Sequence, residues 1–333
     1  MDRKDRISSK QPDISLIIPC YNTDRYLDVC LSGIRVQTEP DIEILLIDDG
    51  STDATGAILD RYAASDERAT VIHTANHGVS AARNLGLSIA KGRYISFADA
   101  DDAFEEHALA ILFTEAEKSG AEIVSAGHML FDTKMQMRTR VEETGISENP
   151  REVVRRIIHM HRVYNNIWNK LYKADLFADG LKLDESVHIG EDALLNLQLY
   201  LRARRIVHIP EYTYVYRVHD RSAMARIGDY CEAHQPMLNA MNRILLAAGE
   251  KGTYFRDFLE SAVWFHEKET GIFAAMKQFN AKIRPLVTEG LQERDIPRED
   301  RRLFLTVQRG CFPAWYVSRR VLRKLERRKG DRF

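Results

Sequence analysis

The sequence predicts an α/β fold in which a mostly parallel β-sheet is covered by helices on both faces. Short apolar runs alternate with helical stretches from residue 14 to about residue 126. Runs that are apolar throughout are typical of strands buried on both faces. Polar clusters directly follow four of these runs. Together these features indicate a sheet that binds a ligand beyond the carboxyl ends of its strands.

The first half of the chain supplies the predicted strands and the helices between them. The predicted strands are 14–19, 42–48, 69–73, 93–98 and 121–126. The predicted helices are 25–37, about 53–64, 80–92 and 105–120. Ser80 suits an N-cap because its hydroxyl can accept from a free backbone N–H, and Gly92 suits the end of the same helix.

Beyond residue 127 the alternation is looser. Helical patterns and strand-like runs occur, in order, at 153–161, 190–203, 205–210 and 213–219, and long helices are predicted from about 223 onward. The acidic residues of 190–203 lie at its N-terminus, where the helix dipole favours them. The predicted organisation is a loose tail (1–13), an α/β segment (14–126), a mixed segment (127–222) and a helical region (223–333).

Composition places the chain among ordinary globular proteins. Of its 333 residues, 44% are hydrophobic and 29% are charged, which suits one large domain and one smaller one. The four cysteines form no CxxC pair, so we expect neither a zinc site nor a disulfide framework. The N-terminus lacks the apolar core of a signal peptide, and no apolar run reaches the roughly 18 residues of a membrane span. We therefore expect a cytoplasmic protein.

The charge is distributed unevenly. The net charge is −1, yet residues 301–333 contain 11 Lys/Arg and 2 acidic residues. Trp315, Val321, Leu322 and Leu325 lie near one stripe of a predicted basic helix. Such a helix can lie on an anionic membrane, each basic residue contributing roughly 1 kcal/mol. The alternatives are docking on its own domain and contact with another subunit, so an oligomer stays open. We expect no nucleic-acid partner.

The polar clusters follow the first four predicted strands. They are CYN (20–22), DDGSTD (48–53), NHG (76–78) and DADD (99–102). Because the carboxyl ends of parallel strands meet at one edge of a sheet, we expect these clusters to lie together. The sequence therefore predicts a ligand site at this edge.

The DADD cluster gathers three carboxylates, Asp99, Asp101 and Asp102, within four positions. One carboxylate can ligate Mg²⁺ or Mn²⁺ that bridges the phosphates of a nucleotide diphosphate, while another accepts from ribose hydroxyls. An acidic N-cap for the helix near Glu105 is an equally good interpretation of these residues alone.

Other motif-based interpretations fail on spacing. An EF-hand loop counted from Asp99 would need glycine where Phe104 stands. Phosphatases that resemble haloacid dehalogenases carry Asp-x-Asp on the first strand, whereas here it follows the fourth. The chain lacks both G-x-G-x-x-G after its first strand and the P-loop pattern, which argues against dehydrogenases and P-loop kinases.

Four further side chains suit a nucleotide. Tyr21 offers a ring on which a base can stack, or is a packed aromatic residue of the sheet edge. Asp48 and Asp49 can accept from a uracil imide N–H, or form an ordinary turn. Arg83 can donate to phosphates, or form a surface ion pair.

Five stretches, in order, carry a family resemblance. They are SLIIPCYNTDRYLDVCLSGIRVQT, IEILLIDDGSTDAT, NHGVSAARNLGLSIAKGRYISFADADD, WNKLYKADLF and GEDALLNLQLY. They resemble the inverting family 2 glycosyltransferases of the GT-A fold, and most of all the bacterial enzymes of capsular and exopolysaccharide assembly. The resemblance covers about residues 14–220. It implies that 14–126 binds a nucleotide sugar and that 127–222 binds the acceptor.

The resemblance also implies roles for residues that bind the donor. Pro19, Tyr21 and Asp49 would frame the uridine of a UDP-sugar. Arg83 would lie near the pyrophosphate, and Asp99 would be the nucleotide-side acid of Asp-x-Asp.

The metal and the catalytic base are implied in the same way. Asp101 would ligate Mn²⁺ or Mg²⁺, with Asp102 as the alternative ligand, and His219 stands where some members supply a further ligand. Asp192 would be the base that deprotonates the hydroxyl of a glycan or lipid-linked saccharide acceptor. Glu191 and desolvation would raise the pKa of Asp192, while the helix N-terminus would lower it.

The acceptor site is less clearly marked. Trp168 and Tyr172 can stack on an acceptor sugar or pack in the core. A non-catalytic nucleotide-sugar-binding or scaffold protein of the same fold would be expected to lose Asp99, Asp101 or Asp192. All three are present, which favours an enzyme, with an Asp-x-Asp phosphatase as the weakest alternative.

Overall fold

The computed structural model describes most of the first 250 residues. The described residues are 11–37, 41–132, 134, 136–141, 149–159, 165–219 and 230–250, with 253, 254, 257, 258, 261, 288, 301 and 305. The chain forms two units, Met1–Ile227 and Gly228–Phe333. Residues 1–10 of the predicted tail and the predicted basic helix around Trp315 lie outside the described residues.

Within its described residues, the first unit contains a nine-stranded sheet. Its strands are β1 (Ile14–Cys20), β2 (Ile42–Asp48), β3 (Ala69–His73), β4 (Tyr94–Phe97), β5 (Ala103–Phe104), β6 (Ile123–Phe131), β7 (Met137–Val141), β8 (Lys170–Lys173) and β9 (Ile206–Arg217). Their spatial order is β3-β2-β1-β4-β8-β6-β9-β5, and β7 pairs with β6. The five strands predicted for the first half are therefore confirmed, and the two later strand-like runs form the single strand β9.

The sheet is parallel in its first half and mixed in its second. β1 pairs in parallel with β2 and β4, and β2 pairs in parallel with β3. β8 is antiparallel to both β4 and β6, and β5 is antiparallel to β9, whereas β6 and β9 are parallel. Parallel pairing, predicted for most of the sheet, thus holds for the strands that alternate with helices.

Helices follow most of the strands. They are α1 (Asp24–Arg35), α2 (Thr55–Ala63), α3 (Val79–Ile89), α4 (Ala108–Ser119), α5 (Pro150–Ile158), α6 (Glu191–Arg202) and, in the second unit, α7 (Tyr230–Ala247), with a 3-10 segment at Ala174–Gly180. The predicted ends of α3 are wrong: Gly78 precedes the helix, Ser80 lies inside its first turn, and the helix ends at Ile89 before Gly92. Gly78 has a φ of 93°, which glycine adopts more readily than serine.

The core of the first unit is built around β1. Every residue of β1 is buried, because helices cover both faces of the sheet. Leu27, Leu31 and Ile34 of α1 belong to the same hydrophobic cluster as the β1 side chains. Each such side chain contributes roughly 1.5–3 kcal/mol on burial. This packing fixes the position of the carboxyl edge on which the polar clusters stand.

The described part of the second unit is centred on α7. Met237, Leu238, Met241 and Leu245 are buried at helical spacing, and Pro236 lies inside the helix. The spacing is that of one buried apolar face.

Candidate active site

The loops that follow the first strands meet at the carboxyl edge, as the sequence predicts. The backbone N–H of Asp49 donates to the carbonyl of Cys20 over 2.9 Å, which joins the ends of β1 and β2. Gly50, with φ +72°, lets this turn pass the loop after β3, because a Cβ there would lie 2.7 Å from the backbone nitrogen of Asn76. The three loops therefore form one continuous surface.

Asp49 stabilises this surface through hydrogen bonds to the loop that follows β3. Its two carboxylate oxygens accept from the backbone N–H groups of His77 (2.9 Å) and Gly78 (2.8 Å). Only 3% of Asp49 is exposed. The neighbouring Asp48 accepts from His73 Nδ1 over 2.7 Å when that nitrogen carries the proton. Although burial opposes it, hydrogen bonds from Ser51 and His73 lower the pKa of Asp48.

The other two predicted uridine residues differ in accessibility. Pro19 is buried inside β1, opposite Ile47 of β2, so it can shape the site but offers little surface. Tyr21 follows the end of β1 and is 48% exposed. An exposed ring at the sheet edge is available for stacking on a base.

The acidic loop brings three carboxylates together. Asp99, Asp101 and Asp102 each offer an oxygen, and these atoms lie within 4.8 Å of one another. Asp101 Oδ2 lies 2.8 Å from His219 Nε2, and Asp102 Oδ1 accepts from the backbone N–H of Arg217 over 2.8 Å. The predicted partners Asp101 and His219 are thus adjacent although 118 positions separate them.

The carboxylates of this loop are hard to ionise together. Burial raises the pKa of Asp99 to about 6 even though Arg83 opposes the shift. Burial, with the charges of Asp101 and Asp99, raises the pKa of Asp102 well above its ordinary range. A divalent cation would relieve this repulsion.

The residues fit a divalent cation and do not fit a helix cap. Asp102 Oδ2 is buried and has no hydrogen-bond partner among the described residues, as expected for an oxygen that receives a ligand. The following helix, α4, begins after His107 and has no side-chain capping hydrogen bond. The capping interpretation of the acidic loop is therefore wrong. Oxygen ligands of this kind suit Mg²⁺ or Mn²⁺.

Arg83 connects the acidic loop to the start of α6. Its guanidinium donates to Asp99 Oδ1 from Nη2 and to Asp192 Oδ1 from Nη1, both over 2.8 Å. Glu191 Oε1 lies 3.5 Å from the same Nη1. The side chain of Arg83 is only 4% exposed, so the interpretation as a surface ion pair is wrong. Burial lowers the pKa of Arg83, but the charges of Asp192, Asp99 and Glu191 outweigh burial and raise this pKa above its ordinary value.

Asp192 is the second residue of α6, which begins at Glu191 directly after Gly190, whose φ is 84°. Burial raises the pKa of Asp192 to about 6, with Glu191 adding to the shift and Arg83 opposing it. The sequence left open whether desolvation or the helix N-terminus has the larger effect on the pKa of Asp192. Desolvation has the larger effect, since the pKa is raised. Burial also raises the pKa of Glu191. A carboxylate with such a pKa is a better base than an ordinary aspartate, yet it stays mostly ionised at neutral pH.

The two aromatic residues considered for acceptor stacking lie in the interior. Trp168 is 8% exposed and stacks on Tyr214 and Tyr216, with ring centroids 4.7 and 5.5 Å away. Tyr172 is fully buried, and its hydroxyl donates to Asn196 Oδ1 over 2.7 Å. Core packing, the alternative interpretation, describes both residues, and Trp168 belongs to the main hydrophobic cluster.

Sequence reasoning missed three residues around the acidic loop. The hydroxyl of Tyr214 accepts from the backbone N–H of Asp99 over 2.9 Å. Arg217 Nε donates to the carbonyl of Asp101 over 2.9 Å. Tyr26 packs its ring 4.8 Å from the ring of His219. The alternation of polar and aromatic residues in TYVYRVH was the available signal, since it places Tyr214 and Arg217 on opposite faces of one strand.

A half-parallel sheet with polar loops at its carboxyl edge is typical of α/β proteins that bind a ligand at that edge. The family model described as Glycosyl transferase family 2 matches residues 15–179. The uncharacterized glycosyltransferase EpsJ of Bacillus subtilis is 35% identical over 216 residues, which are 63% of this chain and 62% of EpsJ. Glycosyltransferase GlyG of Streptococcus pneumoniae is 32% identical over 224 residues, which are 63% of this chain and 72% of GlyG. The chain belongs to glycosyl transferase family 2.

The fold is similar to that of a solved structure. TarS 1–349 of S. aureus, crystallised in complex with UDP-GlcNAc, superposes with a TM-score of 0.66 over 86% of this chain and 82% of that chain, at 19% identity. The predicted GT-A fold is thereby confirmed. The chain spans less than two thirds of the length of EpsJ. None of the helices within the described ranges is long and apolar enough to cross a bilayer.

Proposed function

We propose that the protein transfers a hexose from a UDP-sugar to a hydroxyl group of a glycan or lipid-linked saccharide, with inversion, in bacterial surface polysaccharide assembly. The carrying observation is the buried guanidinium of Arg83, which binds Asp99 of the acidic loop and Asp192 of α6 at once. One residue therefore holds the predicted donor site and the predicted base together. Membership of family 2 and the bound UDP-GlcNAc of TarS support the choice of donor.

Asp192 is the proposed base. Its carboxylate takes the proton of the acceptor hydroxyl while that oxygen attacks the anomeric carbon, and the UDP leaves with the electrons of the broken bond. A single displacement of this kind inverts the anomeric centre. Glu191 keeps the surroundings of Asp192 negative, which favours uptake of the proton.

On the donor side, Tyr21, Asp49 and Pro19 frame the uridine. The exposed ring of Tyr21 stacks on the base, while Asp49 holds the loop that borders it. Asp101 and Asp102, with His219 beside them, would hold Mn²⁺ or Mg²⁺. When bound, the cation neutralises negative charge on the leaving diphosphate.

Fewer residues are assigned to the acceptor than to the donor. Glu191, whose carboxylate is partly exposed beside Asp192, borders the acceptor, and the buried Trp168 shapes this region from behind. We retain the prediction that the basic segment at the C-terminus lies on the inner face of an anionic plasma membrane. Sedimentation of the full chain with anionic vesicles, but not with neutral ones, would support it; equal sedimentation with both would contradict it.

A thermal-shift panel tests the function. Wild type and Asp101→Ala would be measured with several UDP-sugars and GDP-mannose, with and without Mn²⁺. We expect metal-dependent stabilisation by a UDP-sugar in the wild type and its loss in the variant. Retained stabilisation in Asp101→Ala would refute the metal assignment, and stabilisation by GDP-mannose alone would refute the choice of UDP.

Turnover separates an enzyme from a binding protein. UDP release in the presence of saccharide acceptors should fall by roughly 10²- to 10⁴-fold in Asp192→Asn, the range expected on loss of a general base. Nucleotide binding should persist in this variant. Equal UDP release by wild type and Asp192→Asn would refute the catalytic role.

A further inference from the structure

Three buried polar atoms in and beside the acidic loop lack a hydrogen-bond partner among the described residues. They are the hydroxyl of Tyr26, Nη2 of Arg217 and Oδ2 of Asp102. The residues are 7%, 6% and 1% exposed. Unpaired polar atoms are costly inside a protein, so three in neighbouring residues require an explanation.

Arg217 contacts both of the other residues. The guanidinium carbon of Arg217 lies 5.1 Å from the centre of the Tyr26 ring, and the Arg217 backbone N–H donates to Asp102 Oδ1 over 2.8 Å. Arg217 Nε donates to the carbonyl of Asp101, which fixes the plane of the guanidinium against the acidic loop. Although the two side chains are opposite in charge, Arg217 Nη2 and Asp102 Oδ2 have no hydrogen-bond partner within the described part of the chain.

A ligand that carries both signs of charge would satisfy both groups. We propose that Arg217 and Tyr26 form the anion-binding half of the diphosphate site: Arg217 Nη2 and the Tyr26 hydroxyl donate to phosphate oxygens, while the neighbouring carboxylates hold the cation. The inference rests on the proposed function and deepens it. Charge-assisted donation from a guanidinium is among the strongest contacts to phosphate.

The position of Tyr26 supports an anionic ligand. Tyr26 lies in the first turn of α1, where the helix dipole favours negative charge. Its ring also packs against His219, which bonds Asp101. A phosphate held by Tyr26 and Arg217 would therefore lie beside the predicted metal ligands. Buried water is the competing explanation, since it can also satisfy such atoms.

Calorimetric titration distinguishes the two explanations. Mn²⁺-UDP and uridine would each be titrated into wild type, Arg217→Gln, Arg217→Lys and Tyr26→Phe. We expect Arg217→Gln to weaken Mn²⁺-UDP binding by roughly 10- to 100-fold and uridine binding by less than about twofold, because only the diphosphate meets the guanidinium. Arg217→Lys should be intermediate, and Tyr26→Phe should cost about three- to tenfold.

Matched controls are Arg93→Gln and Tyr62→Phe. Arg93 bonds Asp13 and Glu117 on the surface, and the Tyr62 hydroxyl bonds Asp66 away from the acidic loop. Neither substitution should change the affinity for either ligand. Thermal unfolding of each variant reports whether it is folded.

Two results would overturn the inference. One is an unchanged affinity for Mn²⁺-UDP in Arg217→Gln and Tyr26→Phe, which would leave water as the partner of these atoms. The other is an equal loss of affinity for Mn²⁺-UDP and for uridine, which would show that Arg217 only stabilises the loop. If Arg217→Gln does not fold, Arg217→Lys and Tyr26→Phe decide by the same ratio. A wild type that binds no UDP would refute the proposed function itself.

Discussion

Arg83 Nη1 lies 2.8 Å from Asp192 Oδ1, although the two residues are 109 positions apart in the chain. The same guanidinium binds Asp99, so one buried cation balances carboxylates from the acidic loop and from α6. The proposed base is therefore ion-paired before any substrate arrives. A diphosphate bound near Asp99 would compete for this guanidinium.

Arg83→Gln should strongly destabilise the fold. It leaves the carboxylates of Asp99, Asp192 and Glu191 close together without their cation. Removing one partner of a buried pair costs roughly 3–5 kcal/mol, and partial exposure of the acids (27% and 22% for Asp99 and Asp192) reduces this to about 2–4 kcal/mol. Urea denaturation at neutral pH measures the loss.

Arg93→Gln serves as the control for Arg83→Gln. Its side chain is 43% exposed and also binds two carboxylates, but a surface pair of this kind contributes at most about 1 kcal/mol. Equal losses for the two variants would contradict the importance of the buried pairing.

Asp192 should make the folding stability depend on pH. Its pKa is raised from an ordinary 3.8 to about 6, so the folded state binds more protons than the unfolded chain between these values. The free energy of unfolding contributed by Asp192 should therefore fall as the pH rises through this window, by roughly 2 kcal/mol. Asp192→Asn should show a smaller fall than the wild type when urea denaturation is repeated from pH 4 to 7, because Asp99 and Glu191, whose pKa values are also raised, remain. The exposed control Asp175→Asn should keep the full fall.

Catalysis should require the ionised form of Asp192. We expect kcat/KM to fall about tenfold per pH unit below about pH 6, because protonated Asp192 cannot accept the hydroxyl proton. Initial rates of UDP release between pH 5 and 8 measure the profile. A rate that stays constant down to pH 5 would exclude Asp192 as the titrating base.

Asp49→Asn should loosen the loop after β3. The amide can accept one of the two backbone N–H bonds, from His77 or Gly78, but leaves the other donor unpaired. We expect a loss of roughly 1–3 kcal/mol in urea denaturation and weaker uridine binding by calorimetry. Asp60→Asn, an exposed carboxylate beside His73, is the control and should change neither value.

His219→Ala should weaken the response to metal. His219 Nε2 lies 2.8 Å from Asp101 Oδ2, so it either orients this carboxylate or joins it as a ligand. Both roles predict a fall of about 10- to 100-fold in apparent Mn²⁺ affinity, measured as Mn²⁺-dependent thermal stabilisation in the presence of UDP. His188→Ala, at an exposed position, should leave that affinity unchanged. An unaltered Mn²⁺ titration in His219→Ala would remove His219 from the site.

Local patterns in the sequence were enough for the first half of the fold. Apolar runs such as 42–48 identify strands because a strand buried on both faces must be apolar throughout. The polar loops at 48–53 and 99–102 must then lie at one edge of the sheet, because parallel strands run in the same direction. Strand periodicity needs a longer run than the two residues of β5 or the four residues of β8, so these two antiparallel strands were not predicted.

The amino-acid sequence by itself determined the family, the parallel half of the sheet and the identity of the acidic residues at its edge. Only the tertiary structure decided that Arg83 is buried between Asp99 and Asp192, and that Arg217 supports the acidic loop from the end of β9. These contacts join residues more than a dozen positions apart, which only the folded sheet brings together. The tertiary structure also decided the pKa values of Asp99 and Asp192, because desolvation depends on how completely the surrounding chain excludes water.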